Sequence, residues 1–531
     1  MAAGSNGSVR IAALILVVGL AGCARAPLKQ VAVTPPGPTP AERLAEADRL
    51  VRAGCLDCLL DAYREYQSQR AFPSAASAAT LGAIRAAGLI ALRQRELGMV
   101  DEGYLAVAKA LVSGTPNLPA WIAGTLDVAD VLAPSIGGIS RPPSSDADLE
   151  KLRALRENGR VHATLLREFS DVDELSAYTW AAFMCGSTDA RDLAVLTPAE
   201  IFAAVSAFRD TPLVVFRDAT CRRIDAPKLT ALAAADPRFV ETSYLLGMRE
   251  VGRRALDDAD ALFDRAYAWR PRWPALTLSM ANVAMTAEEF DKAARLYDET
   301  LAADPRSSDA LLGKVKALTY LGKAVEAIAA IDQLLSELWR LGDARYWRAL
   351  NENQLARYDE AWADIEAAAR LLINAEVPKL AGIVAYRRQQ LDVSRVRFEE
   401  SRLRNPLDCE TTFYLGVVLG DQKAWVRTAD VLRNAVQCLE AAEQEAVADI
   451  AAIRASADPP ERQARQIARR ERRIADGRRM LATSWYNTAV AYFSLSRTDE
   501  ARQFAEKVVA DEQFGDRAKE ILARLPKSPQ H

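Results

Sequence analysis

The chain has 531 residues, half of them hydrophobic, which is enough for several packing units and well beyond what one small core needs. Its 68 Lys and Arg stand against 71 Asp and Glu, a net charge of −3, so no global basic field favours nucleic acid as a partner. Two histidines, His162 and His531, leave little for His-based metal ligation or neutral-pH acid/base chemistry, and Ala, Leu and Arg dominate over Gly and Phe in the manner of an all-α protein.

Residues 11–20, "IAALILVVGL", follow the single early cation Arg10. The run is too short to span about 30 Å of hydrocarbon, and its order of charge, apolar run and small residues is that of a secretory signal. Leu20-Ala21-Gly22-Cys23 resembles the lipobox of bacterial lipoproteins. The resemblance implies cleavage before Cys23 and lipidation of its thiol and new amino group, with 1–22 removed; an ordinary signal peptide with a nearby cysteine is the alternative. Several acyl chains together anchor stably, at about 0.8 kcal/mol per buried CH₂. Ala24 stands where an inner-membrane retention signal would carry Asp, so the resemblance implies a lipid-anchored outer-membrane protein facing the periplasm. Residues 23–40 read as a Pro-rich tether.

Without Cys23, six cysteines remain: Cys55, Cys58, Cys185, Cys221, Cys409 and Cys438. An even number suits disulfides in an oxidising compartment. Cys55 and Cys58 open a helical segment, where Cα atoms three residues apart lie about 5 Å from each other. A structural disulfide, free thiols, or a redox or metal site all remain open for this pair; the βαβ context of thioredoxin-type motifs is missing, and no second ligand pair is evident for a metal.

Residues 41–230 read as an irregular helical region. Within it, 116–145 is rich in Pro, Gly and Ser around an apolar helical piece, and serves equally as a functional loop or a spacer. His162 lies in an amphipathic context, which makes it a structural rather than catalytic histidine.

Prolines at 237, 271 and 305 recur every 34 residues, each before a new apolar-periodic segment. Leu246-Gly247, Ala259, Phe263, Ala266 and Pro271 fall at the spacings of the tetratricopeptide (TPR) repeat, which this region resembles. Later units keep Ala281, Ala293, Tyr297 and Pro305, then Gly322 and Ala327, then Ala349, Tyr358, Ala361 and Ala368. Gly382, Phe398 and Pro406, and Leu415-Gly416, Leu432 and Ala435 continue the array; Ala489, Tyr492, Ala501 and Phe504 mark a last unit. The third and fourth units lack the closing proline.

The resemblance implies a degenerate TPR-like N-terminal region over 41–230, an array over 231–438, a C-terminal repeat and capping helix over 483–531, and an all-α, TPR-type right-handed helical solenoid. No such helix pair buries its own apolar face, so stacking supplies the core. In this register Cys409 opens a first helix and Cys438 closes the second, which predicts a bridge; Cys185 with Cys221 follows by elimination.

Between array and cap, 439–482 reads as a charged helical hairpin inserted into the solenoid and projecting from it, turning at Asp458-Pro459-Pro460. Its return arm carries eight arginines between 462 and 479, which either meet an anionic partner or pair with the acidic arm "EAAEQEAVAD".

No serine elbow, phosphate loop, HExxH or paired Cys/His cluster occurs, so neither catalysis nor a metal or other cofactor has positive support. In proteins of the TPR type the first helices line a concave groove. Carried onto this register, the lining is Tyr244, Asn282, Lys316, Tyr320, Tyr346, Asn353, Tyr386 and Arg387. The expected function is a non-enzymatic scaffold lipoprotein that binds protein partners in the cell envelope during assembly, secretion or transport. A solute-binding accessory lipoprotein closed by the 116–145 loop is the alternative, and an envelope enzyme, which would need clustered carboxylates, is a third reading. Cys23→Ser is expected to abolish fractionation with membranes; a variant that stays membrane-bound at the mature mass overturns the lipoprotein expectation.

Overall fold

A computed structural model of the chain describes residues 37–99, 102–118, 120–131, 173–175, 177–179, 208, 210–220, 224–335, 341–456 and 460–526. Cys23, Cys185, Cys221, His162, His531 and residues 132–145 lie outside the described residues.

The described secondary structure is helical throughout. α1 (Pro40–Ala53), α2 (Leu56–Gln69), α3 (Ala76–Glu96), α4 (Tyr104–Ser113) and α5 (Ala120–Val131) pack in sequence, followed by α6 (Pro212–Thr220) and α7 (Ala226–Ala235). α1 starts at a capping box in which Thr39 and Glu42 satisfy each other's backbone N–H groups. α3 is long and apolar enough to cross a membrane by composition, but most of it is buried: it is the central helix of this region, and hydrophobic on all sides for that reason. The stretch 116–145 expected as a loop is helical over α5, which Lys109 and Arg95 hold through Asp130 and the α5 carbonyl of Ala129.

From residue 240 the architecture becomes periodic. First helices α8 (Val240–Gly252), α10 (Pro274–Thr286), α12 (Ser308–Tyr320), α14 (Leu341–Gln354), α16 (Glu376–Arg387) and α18 (Cys409–Asp421) alternate with second helices. The latter are α9 (Leu256–Trp269), α11 (Phe290–Ala303), α13 (Ala324–Leu334), α15 (Tyr358–Ala369), α17 (Leu391–Arg404) and α19 (Trp425–Ala455). Each first helix packs on its own second helix and on the previous one, and successive first helices also touch. This is the all-α, TPR-type helical solenoid, with first helices on its inner, crowded side.

Two local devices set the period. Between repeats, Pro237, Pro271, Pro305 and Pro406 take the second position of β-turns closed by bonds such as Ser307 N–H to Asp304 O, 3.1 Å, where proline's fixed φ is pre-set. Within repeats, the first helix ends at a left-handed residue: Arg254, Glu288, Gly322, Ala356, Gln389 and Lys423, with φ between 56° and 73°. The following N–H reaches back five residues, as Glu289 N–H does to Ala284 O at 2.8 Å, in the Schellman manner. Only Gly322 in this series has the residue type that takes this φ without strain.

In three repeats a glycine of the first helix receives a large side chain of the second. Gly247 faces Phe263, Gly382 faces Phe398 and Gly416 faces Leu432, each so close that an added Cβ would sit 2.3 to 2.8 Å from the partner side chain. In two other repeats Ala349 shares a core with Ile365 and Val315 with Ile331. Ala259, Ala293, Ala327, Ala361 and Ser394 are fully buried at the second helix's closest approach.

The N-terminal helices share one core with the first repeats. Arg93 of α3, fully buried, lies against Glu96 and Glu241 of α8, donates to Tyr178 Oη at 3.0 Å, and rests 5.4 and 5.3 Å from the Phe216 and Phe239 rings. Arg217 of α6 adds a 3.3 Å pair to Glu96, and the Trp273 indole N–H donates to Leu97 O. The cluster thus ties three separate parts of the chain together.

Gly382→Leu is expected to destabilise the protein by about 1–3 kcal/mol through overpacking against Phe398. Phe398→Ala in the same chain is expected to restore part of that loss. Urea unfolding of the single and double variants checks this, and equal midpoints for Gly382→Leu and wild type would contradict it.

Candidate functional site: a roofed cavity on the inner face

The hairpin does not project. Its return helix α20 (Pro460–Ser494) crosses to the far repeats, about 200 residues away in sequence, and pairs with their intra-repeat turns. Arg462 pairs with Asp257, Arg465 lies 3.5 Å from Asp257 and 3.6 Å from Glu289, Arg472 lies 3.4 Å from Glu288, and Arg469 donates to Thr286 O at 3.3 Å. Only part of the expected pairing with the acidic arm is present, through Arg470 with Asp449 at 3.4 Å and Arg478 with Glu443 at 2.7 Å. The physical reason is curvature: the stacked repeats bring their early turns under the arm, and carboxylates at those turns take its guanidinium groups.

Between arm and repeats lies a cavity of about 1530 Å³. α10, α11, α12 and Trp347 of α14 form its floor, and Arg469, Arg472, Arg473 and Asp476 of α20 its roof. Phe290 and Tyr320 stack with centroids 4.8 Å apart, and Tyr320 meets Trp347 edge-on at 6.0 Å. Tyr320 remains 58% exposed, an aromatic ledge open to the cavity. The Lys316 ammonium lies over the Trp347 ring at 5.6 Å.

Of the groove residues expected from sequence, the cavity brings together Asn282, Lys316 and Tyr320. Asn282 is partly committed, since its carbonyl accepts from Tyr297 Oη at 2.7 Å. Tyr244 is a core residue instead, 6% exposed, because Trp273 packs on it at 4.7 Å and Ser279 reaches its hydroxyl. Tyr346, half-buried against Trp347, Asn353, Tyr386 and Arg387 lie outside the cavity lining. The Tyr386 hydroxyl donates to Asp421 at 2.7 Å, and burial with that bond pushes its pKa up to about 12. The arm's Arg469, Arg472 and Arg473 are the lining that the repeat pattern missed; the arginine run was the available signal, without the knowledge of where the arm points.

Two cysteine pairs are bonded, Cys55 to Cys58 with Cα atoms 5.0 Å apart and Cys409 to Cys438 with Cα atoms 5.6 Å apart. The first leaves no thiolate to ligate a metal beside Asp236, although the three side chains converge. The second stands at the root of the hairpin, beside a smaller cavity of about 500 Å³ that also contains Lys379 and Arg473.

The carboxylates that an enzyme reading would need do meet at one place. Glu352 of α14 and Asp364 of α15 are buried within their repeat, away from the cavity lining. Arg345 and Arg348 hold Asp364 ionised, with Arg348 Nη2 2.8 Å from its Oδ1. Burial, then the Asp364 charge, raises Glu352 to about 7.

No family model matches the chain, and no curated protein matches it. Among solved structures, the chain is similar to one in the APC/C hetero-tetramer Cut9-Hcn1, at 12% identity and a TM-score of 0.37, over 92% of this chain and 90% of that one. It is similar to a tetratricopeptide repeat protein from Parabacteroides merdae, at 16% identity and a TM-score of 0.34, over 54% of this chain and 97% of that one. A thermophilic TPR protein in Thermus thermophilus aligns at 17% identity and a TM-score of 0.30, over 34% of this chain and 98% of that one.

The raised Glu352 sets a pH dependence. The folded state keeps its proton up to about 7, whereas the unfolded state loses it near the ordinary 4.5, so its contribution to stability falls as pH rises between those values. Glu352→Gln is expected to flatten this slope. Urea midpoints at several pH values from 5 to 8 check it, and parallel curves for variant and wild type would rule it out.

Proposed function

We propose that the protein is a non-enzymatic interaction scaffold that holds a segment of a partner protein in the roofed cavity. The observation that carries this reading is the cavity itself: an inner-face channel with an open aromatic ledge and charged walls on two sides. Its volume of about 1530 Å³ exceeds the range of about 300–1,000 Å³ usual for small-molecule pockets, which favours a polymer segment over a solute. Extended segments bind through backbone contacts and side-chain pockets, and aromatic residues with polar tips suit both.

The address belongs to the same proposal. The lipobox-like sequence at Cys23 and the Pro-rich tether support a lipid-anchored protein of the outer membrane, facing the periplasm, whose partners are envelope proteins. An even set of cysteines after Cys23, two pairs of them bonded, suits that oxidising compartment.

A benzophenone amino acid placed at position 320 is expected to give a discrete protein adduct in living cells. The same probe at position 426, which is 62% exposed on a second helix, is the control. Identical adduct patterns at the two positions would refute the cavity as the partner site.

A further inference from the structure

The ion pairs around the cavity leave a surplus of one sign. Of the five lining carboxylates, Glu288 is taken by Arg472, Glu289 by Lys292 and Arg465, and Asp476 by Arg479; Asp309 is engaged as well, and Asp291 is the one that pairs with no cation among the described residues. Arg295 and Lys316 on the floor, and Arg473 on the roof, have no carboxylate partner among the described residues. Arg469, also on the roof, spends its guanidinium on one backbone carbonyl at 3.3 Å and leaves its buried Nε without an acceptor. Such cations face each other across the channel, from two structural elements that the repeat fold alone would not bring together.

Channel length and the ledge narrow the occupant further. The floor spans three successive first helices, which at about 9 Å between axes makes roughly 20 Å. A fully extended chain covers that in about six residues. Phe290 closes one face of Tyr320, and Trp347 stands at 74° to it, so the ledge is a corner rather than a flat plate. A corner receives an inserted planar side chain at its edge and face; a pyranose ring would want an open plate.

We propose that the occupant is an acidic, extended polypeptide segment bearing an aromatic residue, clamped between Arg295 and Lys316 of the repeats and Arg469 and Arg473 of the hairpin arm. The inference rests on the scaffold reading and adds the partner's chemistry and the arm's part in it. Arg462, Arg465 and Arg472 latch the arm to the repeats; Arg469 joins them through Thr286 O and offers its remaining donors to the ligand, and Arg473 faces the ligand without a latch contact. The carboxylates of the segment then meet cations on both sides, in a channel where water is partly displaced and each charge-assisted bond is strengthened.

The test uses fluorescence anisotropy with the full chain and a labelled twelve-residue peptide of repeating Glu-Glu-Tyr. Binding is expected to weaken at least tenfold when the probe's Glu residues are replaced by Gln, and to weaken steeply from 50 to 300 mM salt. Arg469→Gln with Arg473→Gln, and Arg295→Gln with Lys316→Gln, are each expected to weaken binding at least tenfold. Arg433→Gln, on an exposed second-helix face, is expected to change nothing, and circular dichroism melts of all variants report that the fold is kept. Equal binding of the Glu and Gln peptides, or roof variants that bind like wild type, overturns the inference. Binding of a uronic-acid oligomer of equal charge in place of the peptide also overturns it, in favour of a glycan. If the adduct at position 320 persists while the acidic peptide fails to bind, the inference falls and the scaffold reading stands; if that adduct is also lost, both fall.

Discussion

The contact between a small residue on the first helix and a large one on the second is the constraint on which the solenoid depends. Gly247 against Phe263, Gly382 against Phe398 and Gly416 against Leu432 let two helix backbones approach closely while one side chain fills the space between them. Closeness fixes the angle of each pair, and the stack accumulates that angle. The inner face, the roofed cavity and the reach of the arm to turns near residues 257 and 288 are consequences of the accumulated curvature. Interiors close-packed to this degree transmit misfit, so one oversized residue at Gly382 would act beyond its own pair.

Polar chemistry is then layered onto an apolar framework. Arg93 is the extreme case, a guanidinium removed from water and held by Glu96, Glu241 and Tyr178 beneath two phenylalanine rings. Buried pairs of this kind often add little net stability compared with apolar residues of the same volume, yet losing one partner is costly. The arrangement therefore reads as a device for register: it admits one way of seating α3 on α6 and α8. The latch differs in kind, because solvent and salt screen the exposed Arg465 and Arg472, with Arg462 half-buried beside them.

The fold class was legible because it is local. Alanines at 259, 293, 327 and 361 and prolines at 271 and 305 report contacts and turns made within one repeat or with its neighbour, and such contacts repeat in the sequence. The bond between Cys409 and Cys438 was legible for the same reason, since both ends lie in one hairpin. The cavity was only half legible. Asn282, Lys316 and Tyr320 follow from the repeat register, but Tyr244 does not reach the surface, because Trp273 from the next repeat covers it. The roof depends on a long-range consequence of curvature, pairing Arg462 with Asp257 across some 200 residues, and no period in the sequence encodes that distance.

The bridge between Cys409 and Cys438 has a mechanical meaning for the arm. Beyond Cys438 the helix α19 runs on to Ala455, roughly 25 Å at 1.5 Å per residue, before the chain turns back. Over such a length a tilt of about 10° at the root moves the tip by about 4 Å, more than the span of an ion pair. A covalent link at the fulcrum, with its Cα atoms 5.6 Å apart, limits that tilt where leverage is greatest. The arm is thereby a beam fixed by a covalent link at its root and paired through charged groups toward its tip.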